Sequence, residues 1–128
     1  MKTGDIFWVN LDPAVGDEIR KKRPVVVLNQ GHEKNLKLSI VVPITGWKRH
    51  WDQNPFFVVI KPNNQNKLQT KSAIDCFQIR AISHNRFMDR IGKITDNQLG
   101  DVKKAISLIL DIDSEDLTSY FEILFIKK

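Results

Sequence analysis

The sequence predicts a mainly β fold, a small barrel or sandwich with one helix packed against it. Short apolar runs bounded by Gly, Pro, Asn and Asp recur over most of the chain, which is typical of several short strands. A single amphipathic pattern with helical spacing follows them. The 128 residues, 41% of them apolar, suffice to bury one core without disulfides or metals. We therefore expect one mixed β/α domain in which strands dominate.

The predicted strands are separated by two long basic loops and by shorter turns. Residues 24–29 form a continuous apolar run, which indicates a strand covered on both faces. Pro43 indicates an edge or a bulge in the third strand, because proline cannot donate to a sheet ladder. Residues 30–37 are polar and have room for one helical turn. The predicted strands cover residues 6–9, 24–29, 38–45, 56–60, 72–82 and 90–93.

One amphipathic helix is predicted after the strands. Thr95 and Gln98 stand at the spacing of a capping box, so the helix should begin there. Apolar residues then recur at helical spacing up to the expected end of the helix: Leu99, Val102, Ile106, Ile109 and Leu110. Beyond this point Ser114 fits the cap of a second helix, whereas residues 120–126 fit a helix or a strand.

Composition excludes some classes of protein and leaves others open. Cys76 is the only cysteine, so neither an intramolecular disulfide nor a cysteine-based zinc cluster can form. The apolar runs are too short to span a bilayer, and the N-terminus lacks the apolar core of a signal peptide. We therefore expect a cytoplasmic protein. The formal net charge of +5 permits an anionic partner, either nucleic acid or an acidic protein.

Two loops hold the candidate binding residues. Pro24 restricts Arg23 to an extended conformation at the end of the first loop, directly before a buried strand. Cations that converge on one backbone bind phosphates, and tryptophans beside them stack unpaired bases. The alternative is solvated loop charges with the tryptophans packed on the strands. The candidates are Arg20, Lys21, Lys22 and Arg23 in the first loop and Trp47, Lys48, Arg49, His50 and Trp51 in the second.

Further candidates lie on the predicted strands. Thr45 ends the third strand beside a glycine, where its hydroxyl is placed to donate to a phosphoryl oxygen. Asp75 fits a group that orients Arg23 or a carboxylate base, but such an aspartate more often caps a turn or pairs with a surface cation. Cys76 fits a small buried thiol better than a nucleophile. No histidine stands at metal-ligand spacing with another histidine or a carboxylate, so we expect no metal site. Alternation along residues 72–82 would place Asp75, Phe77 and Ile79 on one face and Cys76, Gln78 and Arg80 on the other.

An ordered set of segments resembles the MazF/PemK family of toxin endoribonucleases. Each segment is only moderately specific, but their order and spacing together cover roughly residues 3–110. The segments are residues 4–13 (GDIFWVNLDP), 16–18 (GDE), 23–27 (RPVVV), 41–45 (VVPIT), 78–82 (QIRAI), 85–87 (NRF) and 91–94 (IGKI), with Pro55 and Ser72 between them.

This resemblance implies a compact SH3-like β-barrel with a C-terminal helix, working as a homodimer. It implies a growth-inhibiting toxin of a type II toxin-antitoxin system that cleaves single-stranded RNA, chiefly mRNA, at short sequences and without a metal or other cofactor. The ribose 2′-OH would attack the adjacent phosphate, leaving a 2′,3′-cyclic phosphate and a 5′-OH end. A cognate antitoxin would block the RNA groove with an extended acidic tail, and DNA would be bound through the antitoxin complex.

The family's functional residues are carried over position by position. The catalytic arginine before the proline falls on Arg23, and the catalytic threonine that closes the third strand falls on Thr45. Because the pKa of arginine lies above about 12, we expect Arg23 to stabilise charge rather than act as a base. Glu18 matches the first-loop glutamate, which we expect to shape the loop or contact RNA. The expected RNA-binding residues are Arg20, Lys21, Lys22, Trp47, Lys48, Arg49, His50, Gln78 and Arg80, and Trp51 is an alternative stacking residue.

The sequence departs from the family pattern at two positions and at its end. Phe77 stands where many members carry an acidic residue, and Asp75, two residues earlier, is a candidate substitute. Ile19 stands where glutamine is common. Residues 1–112 form the expected toxin domain, and residues 113–128 a C-terminal extension without an assigned role.

Two other readings of the sequence are open. One is a non-catalytic toxin on the same barrel, such as one that poisons a gyrase-like target. The other is a plain nucleic-acid-binding barrel. Neither requires Arg23 together with Thr45, and this pair therefore favours the ribonuclease.

Overall fold

The structure is a computed structural model that describes residues 1–29 and 35–126. Within these residues the chain forms seven strands and two helices, with 3₁₀ turns at Arg49–Trp51, Cys76–Gln78 and His84–Arg86. The predicted mainly β fold with a C-terminal helix is confirmed. The elements are β1 (Asp5–Asn10), β2 (Lys22–Val27), β3 (Leu38–Gly46), β4 (Phe57–Ile60), β5 (Ser72–Asp75), β6 (Arg80–Ser83), β7 (Phe87–Lys93), α1 (Asp96–Ile109) and α2 (Ser114–Ile126).

β3 is the central strand of one antiparallel sheet. Along one side it pairs with β2, and along the other its first half pairs with β6 and its end with β5. The order across the sheet is β4-β5-β3-β2-β1-β7, with β6 beside the first half of β3. Pro43 lies opposite Val25, at the point where the partner on the other side changes from β6 to β5. β3 is therefore internal, and the edge strand proposed at Pro43 is wrong.

The ladders of the sheet do not close into a complete barrel over the described residues, because β4 and β7 at its two ends do not pair. The connector between β4 and β5 packs against β7 instead, and the Lys93 N–H donates to the Gln65 carbonyl at 3.1 Å. Gly92 permits this approach, because a Cβ there would overlap the Gln65 carbonyl and the Asn66 backbone. Asn66 is fully buried and holds the connector with its own amide, which donates to the Lys61 carbonyl at 2.8 Å.

β2 is covered on both faces, as its continuous apolar run predicts. Val26 belongs to a core cluster with Ile6, while Val25 and Val27 belong to a second cluster with Leu11. All three valines have no solvent exposure. Since burial of one such side chain contributes about 1.5–3 kcal/mol, β2 is a rigid support for the residues at its start.

α1 begins with the predicted capping box. The Thr95 Oγ1 accepts the Gln98 N–H at 3.1 Å, and the Gln98 side chain accepts the Thr95 N–H at 2.9 Å. Val102 and Ala105 are buried in the first cluster, and the helix packs against β4 and the 3₁₀ turn Cys76–Gln78. The amphipathic face that the sequence indicates is thus the face that covers the sheet.

The prediction of one strand over residues 72–82 is wrong. β5 ends at Asp75, because its carboxylate accepts the Phe77 N–H at 3.1 Å and so caps a 3₁₀ turn. The turn buries Cys76 and leaves Phe77 63% exposed. The predicted alternation of faces therefore does not hold.

Other boundaries differ by smaller amounts. β2 begins at Lys22 rather than at Pro24, which places Arg23 inside the strand. Residues 120–126, for which the sequence fits a helix or a strand, are helical and belong to α2. The helical turn predicted within residues 30–37 falls mainly on residues 30–34, which lie outside the described residues. Among the described helices, none is both long and apolar enough to cross a membrane.

Candidate active site

β2 and β3 bring Arg23 and Thr45 together. Val25 lies opposite Pro43, and the same register continued by two residues places Arg23 opposite Thr45. The Arg23 Nη1 donates to the Thr45 Oγ1 at 3.4 Å. Both side chains are partly buried, so a rigid sheet holds a cation and a hydroxyl side by side while leaving them open to solvent.

The Arg23 guanidinium is oriented from its other side by the first loop. Its Nε donates to the Arg20 carbonyl at 2.9 Å. Asp5 and Arg90, 3.1 Å apart, form the single ion pair among the side chains that the structure describes. In that part of the chain, therefore, no carboxylate neutralises Arg23, and its charge is available to an anion.

A groove of about 400 Å³ opens beside this pair. Lys22 and Lys67 stand on its wall together with Arg23, so three cations line one concave surface. Trp8 also lines the groove and is 42% exposed. Cations and an exposed aromatic ring are the groups that bind the backbone and the bases of a single-stranded nucleic acid.

The first loop has an internal framework that fixes its path. The Glu18 carboxylate accepts the Val15 N–H at 2.6 Å, which agrees with a role in shaping the loop. Lys21 has φ 76°, and its N–H donates to the Asp12 carboxylate at 2.9 Å. Arg20 and Lys21 are exposed but do not line the groove, so they are placed to contact substrate only beyond it.

Asp75 does not contact Arg23, and the prediction that it orients this arginine directly is wrong. Asp75 is 6% exposed, and its carboxylate accepts hydrogen bonds from the Phe77 N–H and from the Gln78 amide, both at 3.1 Å. Burial raises the pKa of Asp75, although these hydrogen bonds oppose the rise. Phe77, at the position where many family members carry an acidic residue, is exposed, whereas Asp75 is buried in the turn. That Asp75 substitutes for the acidic residue stays a prediction.

Gln78 uses both ends of its side-chain amide within the protein. Its Oε1 accepts the Ile19 N–H at 2.6 Å, and its Nε2 donates to the Asp75 carboxylate and to the Asp17 carbonyl. Arg80 lies nearby, at a small cavity between the first loop and the sheet. Neither side chain lines the groove that contains Arg23. The predicted RNA-binding residues Gln78 and Arg80 are therefore separate from that groove.

The two tryptophans of the second loop pack in an aromatic cluster with Phe57 and do not form a free stacking surface. Trp51 stacks on Phe57 with ring centroids 4.2 Å apart and planes 9° apart. Trp47 meets Trp51 edge to face, and the Lys71 ammonium lies 4.8 Å from the Trp47 ring centroid. Trp51 is therefore packed against a strand, which is the alternative to base stacking that the sequence left open. Lys48, Arg49 and His50 of the same loop are exposed, outside the groove.

Cys76 is the last of the side chains considered from the sequence, where it fits a small buried thiol. Burial, with a smaller effect of the Asp75 charge, raises the pKa of Cys76 to about 12, as expected of an inert thiol. Among the described residues, no three His, Cys, Asp or Glu side chains are grouped to hold a metal ion.

A family model for the PemK-like, MazF-like toxins of type II toxin-antitoxin systems matches residues 2–110. The chain belongs to this family. The curated endoribonuclease MazF9 of Mycobacterium tuberculosis is 30% identical over 118 residues, which cover 88% of this chain and 98% of that protein.

Solved structures of MazF proteins share the fold. MazF of Deinococcus radiodurans superposes with a TM-score of 0.73 at 20% identity, covering 88% of this chain and 97% of the other. A mycobacterial endoribonuclease in complex with its cognate antitoxin superposes with a TM-score of 0.69 at 14% identity, with the same coverage. The MazF-like fold that the resemblance implies is confirmed. α2 begins after the last residue that the family model matches.

Two residues of this groove, Trp8 and Lys67, are not among the candidates that the sequence indicates. Trp8 falls within the first predicted strand, and Lys67 lies on the connector between β4 and β5. Phe7 and Val9, the neighbours of Trp8 in β1, pack in the second core cluster, so alternation places Trp8 on the opposite face of the strand. The signal for the connector was its asparagine pair, Asn63 and Asn66, whose side chains accept backbone N–H groups and fix the turns.

Proposed function

We propose that this MazF-like toxin is a metal-independent, sequence-specific endoribonuclease that cleaves single-stranded RNA, chiefly mRNA. The observation that carries the proposal is Arg23 beside Thr45 at a groove lined by Lys22, Lys67 and Trp8. The endoribonuclease name of the M. tuberculosis relative supports the same activity.

The proposed reaction is an internal transfer of the phosphate ester. The ribose 2′ oxygen attacks phosphorus, the bond to the 5′ oxygen breaks, and the products are a 2′,3′-cyclic phosphate and a 5′-OH end. One proton leaves the 2′-OH and one is gained by the 5′ oxygen, so no external co-reactant is consumed. Arg23 stabilises the negative charge that grows on the phosphoryl oxygens, and Thr45 supplies a second donor.

The groove supplies the groups that hold the substrate. Lys22 and Lys67 line the groove with Arg23, so we assign them to the phosphates that flank the reacting one, while Arg23 offers a planar fork of donors. Trp8 presents a partly exposed ring for a base. The exposed Arg20 and Lys21 extend the positive surface beyond the groove, and Lys48, Arg49 and His50 provide a second one.

The cognate antitoxin is proposed to cover this groove with an acidic extended segment. The cations of the groove and of both loops are complementary to such a segment, and the family model belongs to type II toxin-antitoxin systems. An acidic peptide should therefore compete with RNA for the protein. Binding of both at once, without competition, would contradict this part of the proposal.

A homodimer in the cytoplasm is proposed as the working form. Leu38 and Ile40 alternate along the start of β3, and Leu36 lies two residues before it; the three are 42%, 43% and 51% exposed. This is the pattern of an apolar face that a second protein chain covers. Ile40→Lys should shift the protein from dimer to monomer in sedimentation equilibrium. A wild-type protein that sediments as a monomer at all concentrations would contradict the homodimer.

The experiment that tests the activity uses one long single-stranded RNA in EDTA. Wild-type protein should give a fixed set of fragments that end in cyclic phosphate, and Arg23→Ala should leave the RNA intact. The matched control is Lys104→Ala, since Lys104 is an exposed cation on α1 outside the groove. Intact RNA with the wild-type protein, across RNAs of varied sequence, would refute the proposal and favour a non-catalytic toxin.

A further inference from the structure

We propose that Gln78 is a positioning residue that ties the first loop to the core and thereby orients Arg23, an inference that rests on the proposed nuclease function. Gln78 ends the 3₁₀ turn Cys76–Gln78, far from Arg23 in the sequence and outside the groove. It reaches the loop through the Ile19 N–H, at 2.6 Å, and the Asp17 carbonyl, at 3.4 Å.

The direction of the Gln78 amide is dictated by its partners. The Ile19 N–H is a donor and therefore requires the amide oxygen, whereas the Asp75 carboxylate accepts hydrogen bonds and therefore requires the amide nitrogen. Only one orientation of the amide satisfies both. The Asp75 carboxylate, together with the more distant Asp17 carbonyl, thus selects the orientation in which Gln78 can hold the loop.

The support behind Gln78 is rigid. Asp75 is 6% exposed and is fixed by the Phe77 N–H, and Cys76 in the same turn is fully buried against the cluster under α1. Because Gln78 hydrogen-bonds the first loop to this turn, the core of the protein fixes the position of the loop. This is the arrangement expected of a residue that supports catalytic groups from behind.

The connection from Gln78 to Arg23 is short and continuous. Ile19, whose N–H is held, precedes Arg20, and the Arg20 carbonyl accepts the Arg23 Nε–H at 2.9 Å. The same guanidinium then reaches the Thr45 hydroxyl at 3.4 Å. Displacement of the loop would move the Arg20 carbonyl and so release one of the two contacts that aim the guanidinium.

The first test needs no RNA and uses the Arg23 Nε–H signal in a ¹⁵N NMR spectrum of the full chain. Gln78→Ala should shift this signal and speed its exchange with water, because the carbonyl that holds it becomes mobile. Asp75→Asn should act in the same direction, since Asn offers one acceptor where the Phe77 N–H and the Gln78 amide need two. Asn97→Ala, which removes an exposed amide on α1, is the control and should leave the signal unchanged. An unchanged signal in folded Gln78→Ala would overturn the proposal.

The second test separates positioning from RNA binding. In Gln78→Ala, kcat for RNA cleavage should fall by about 10- to 100-fold, as misplacement of a catalytic group does, while KM changes by less than about twofold. An unchanged kcat with a raised KM would mean that Gln78 contacts RNA and would overturn the positioning role. If the wild-type protein cleaves no RNA, the nuclease proposal fails, and the NMR result still decides whether Gln78 orients Arg23.

Discussion

The Arg23 Nη1 lies 3.4 Å from the Thr45 Oγ1, across two adjacent strands whose register is fixed by buried valines. The sheet therefore holds the backbone of both residues, and the Arg20 carbonyl of the first loop orients the Arg23 side chain. The charged Arg23 guanidinium and the neutral Thr45 hydroxyl are both donors, and both residues line the same groove. In the proposed reaction, these two donors would stabilise the negative charge that develops on the phosphate.

The role of the Thr45 hydroxyl predicts different results for two substitutions. Thr45→Val keeps the shape and removes the donor, so the cleavage rate should fall by about 100-fold. Thr45→Ser keeps the hydroxyl and should stay within a few-fold of wild type. Single-turnover cleavage of a short RNA measures both. Equal rates for the Val variant and the wild type would show that the hydroxyl takes no part.

Trp8 and Trp51 should behave differently when each is replaced by Ala. Loss of a stacking ring costs about 1–3 kcal/mol, so Trp8→Ala should weaken RNA affinity by about 5- to 150-fold. Trp51→Ala should leave affinity within about twofold, and lower the free energy of unfolding by at least about 1 kcal/mol, since its ring stacks on Phe57. Fluorescence anisotropy with a labelled oligonucleotide and urea unfolding give the two quantities. The reverse outcome, with affinity lost at Trp51 alone, would place the base on the second loop.

The surroundings of Gly92 and Gly100 predict opposite effects of a change to Ala on the free energy of unfolding. Gly92→Ala should lower the free energy of unfolding by about 1–3 kcal/mol or more, because the new Cβ overlaps the Gln65 carbonyl where the connector meets β7. Gly100→Ala lies within α1 in open space and should raise it by roughly 0.5–1 kcal/mol. Urea denaturation of both variants measures the difference. A stable Gly92→Ala would show that the connector does not pack on β7.

The raised pKa of Cys76 predicts the pH dependence of its reactivity. Burial, and secondarily the Asp75 charge, raise this pKa from an ordinary 9.0 to about 12, so the folded thiol stays protonated at pH 9. Iodoacetamide should modify it slowly in the folded protein and rapidly in urea. Because the folded state binds this proton more tightly, the free energy of unfolding should fall as the pH rises from about 9 towards 12. Rapid alkylation of the folded protein at pH 9 would contradict a buried thiol.

Local signals in the sequence predicted those parts of the fold that local chemistry determines. The apolar run of β2 specifies a strand buried on both faces, and the Thr95–Gln98 capping box specifies where α1 begins. Arg23 was a good candidate for the same reason, since Pro24 fixes the backbone beside it. Its proximity to Thr45 follows from strand register, which no short segment specifies by itself, and was expected only through the family resemblance.

The remaining differences arise from contacts between distant segments. The Asp75 cap breaks the strand predicted for residues 72–82, and this cap competes with β propensity in a way that alternation does not reveal. The Gln78 amide is directed inward by Ile19, 59 residues away in the sequence. The two tryptophans differ in what their rings face: the Trp51 ring stacks on Phe57, whereas the Trp8 ring lines the groove. Amino-acid composition does not distinguish Trp8 from Trp51.

The most direct test of the central claim is the single-turnover rate of RNA cleavage by Arg23→Ala and Arg23→Lys in EDTA. Arg23→Ala should be slower than wild type by about 100- to 1,000-fold, with an unchanged circular dichroism spectrum. Arg23→Lys should recover only part of the rate, because it restores a charge without the planar fork or the Nε–H that binds the Arg20 carbonyl. Cleavage by folded Arg23→Ala within a few-fold of the wild-type rate would contradict the assignment of Arg23 to catalysis.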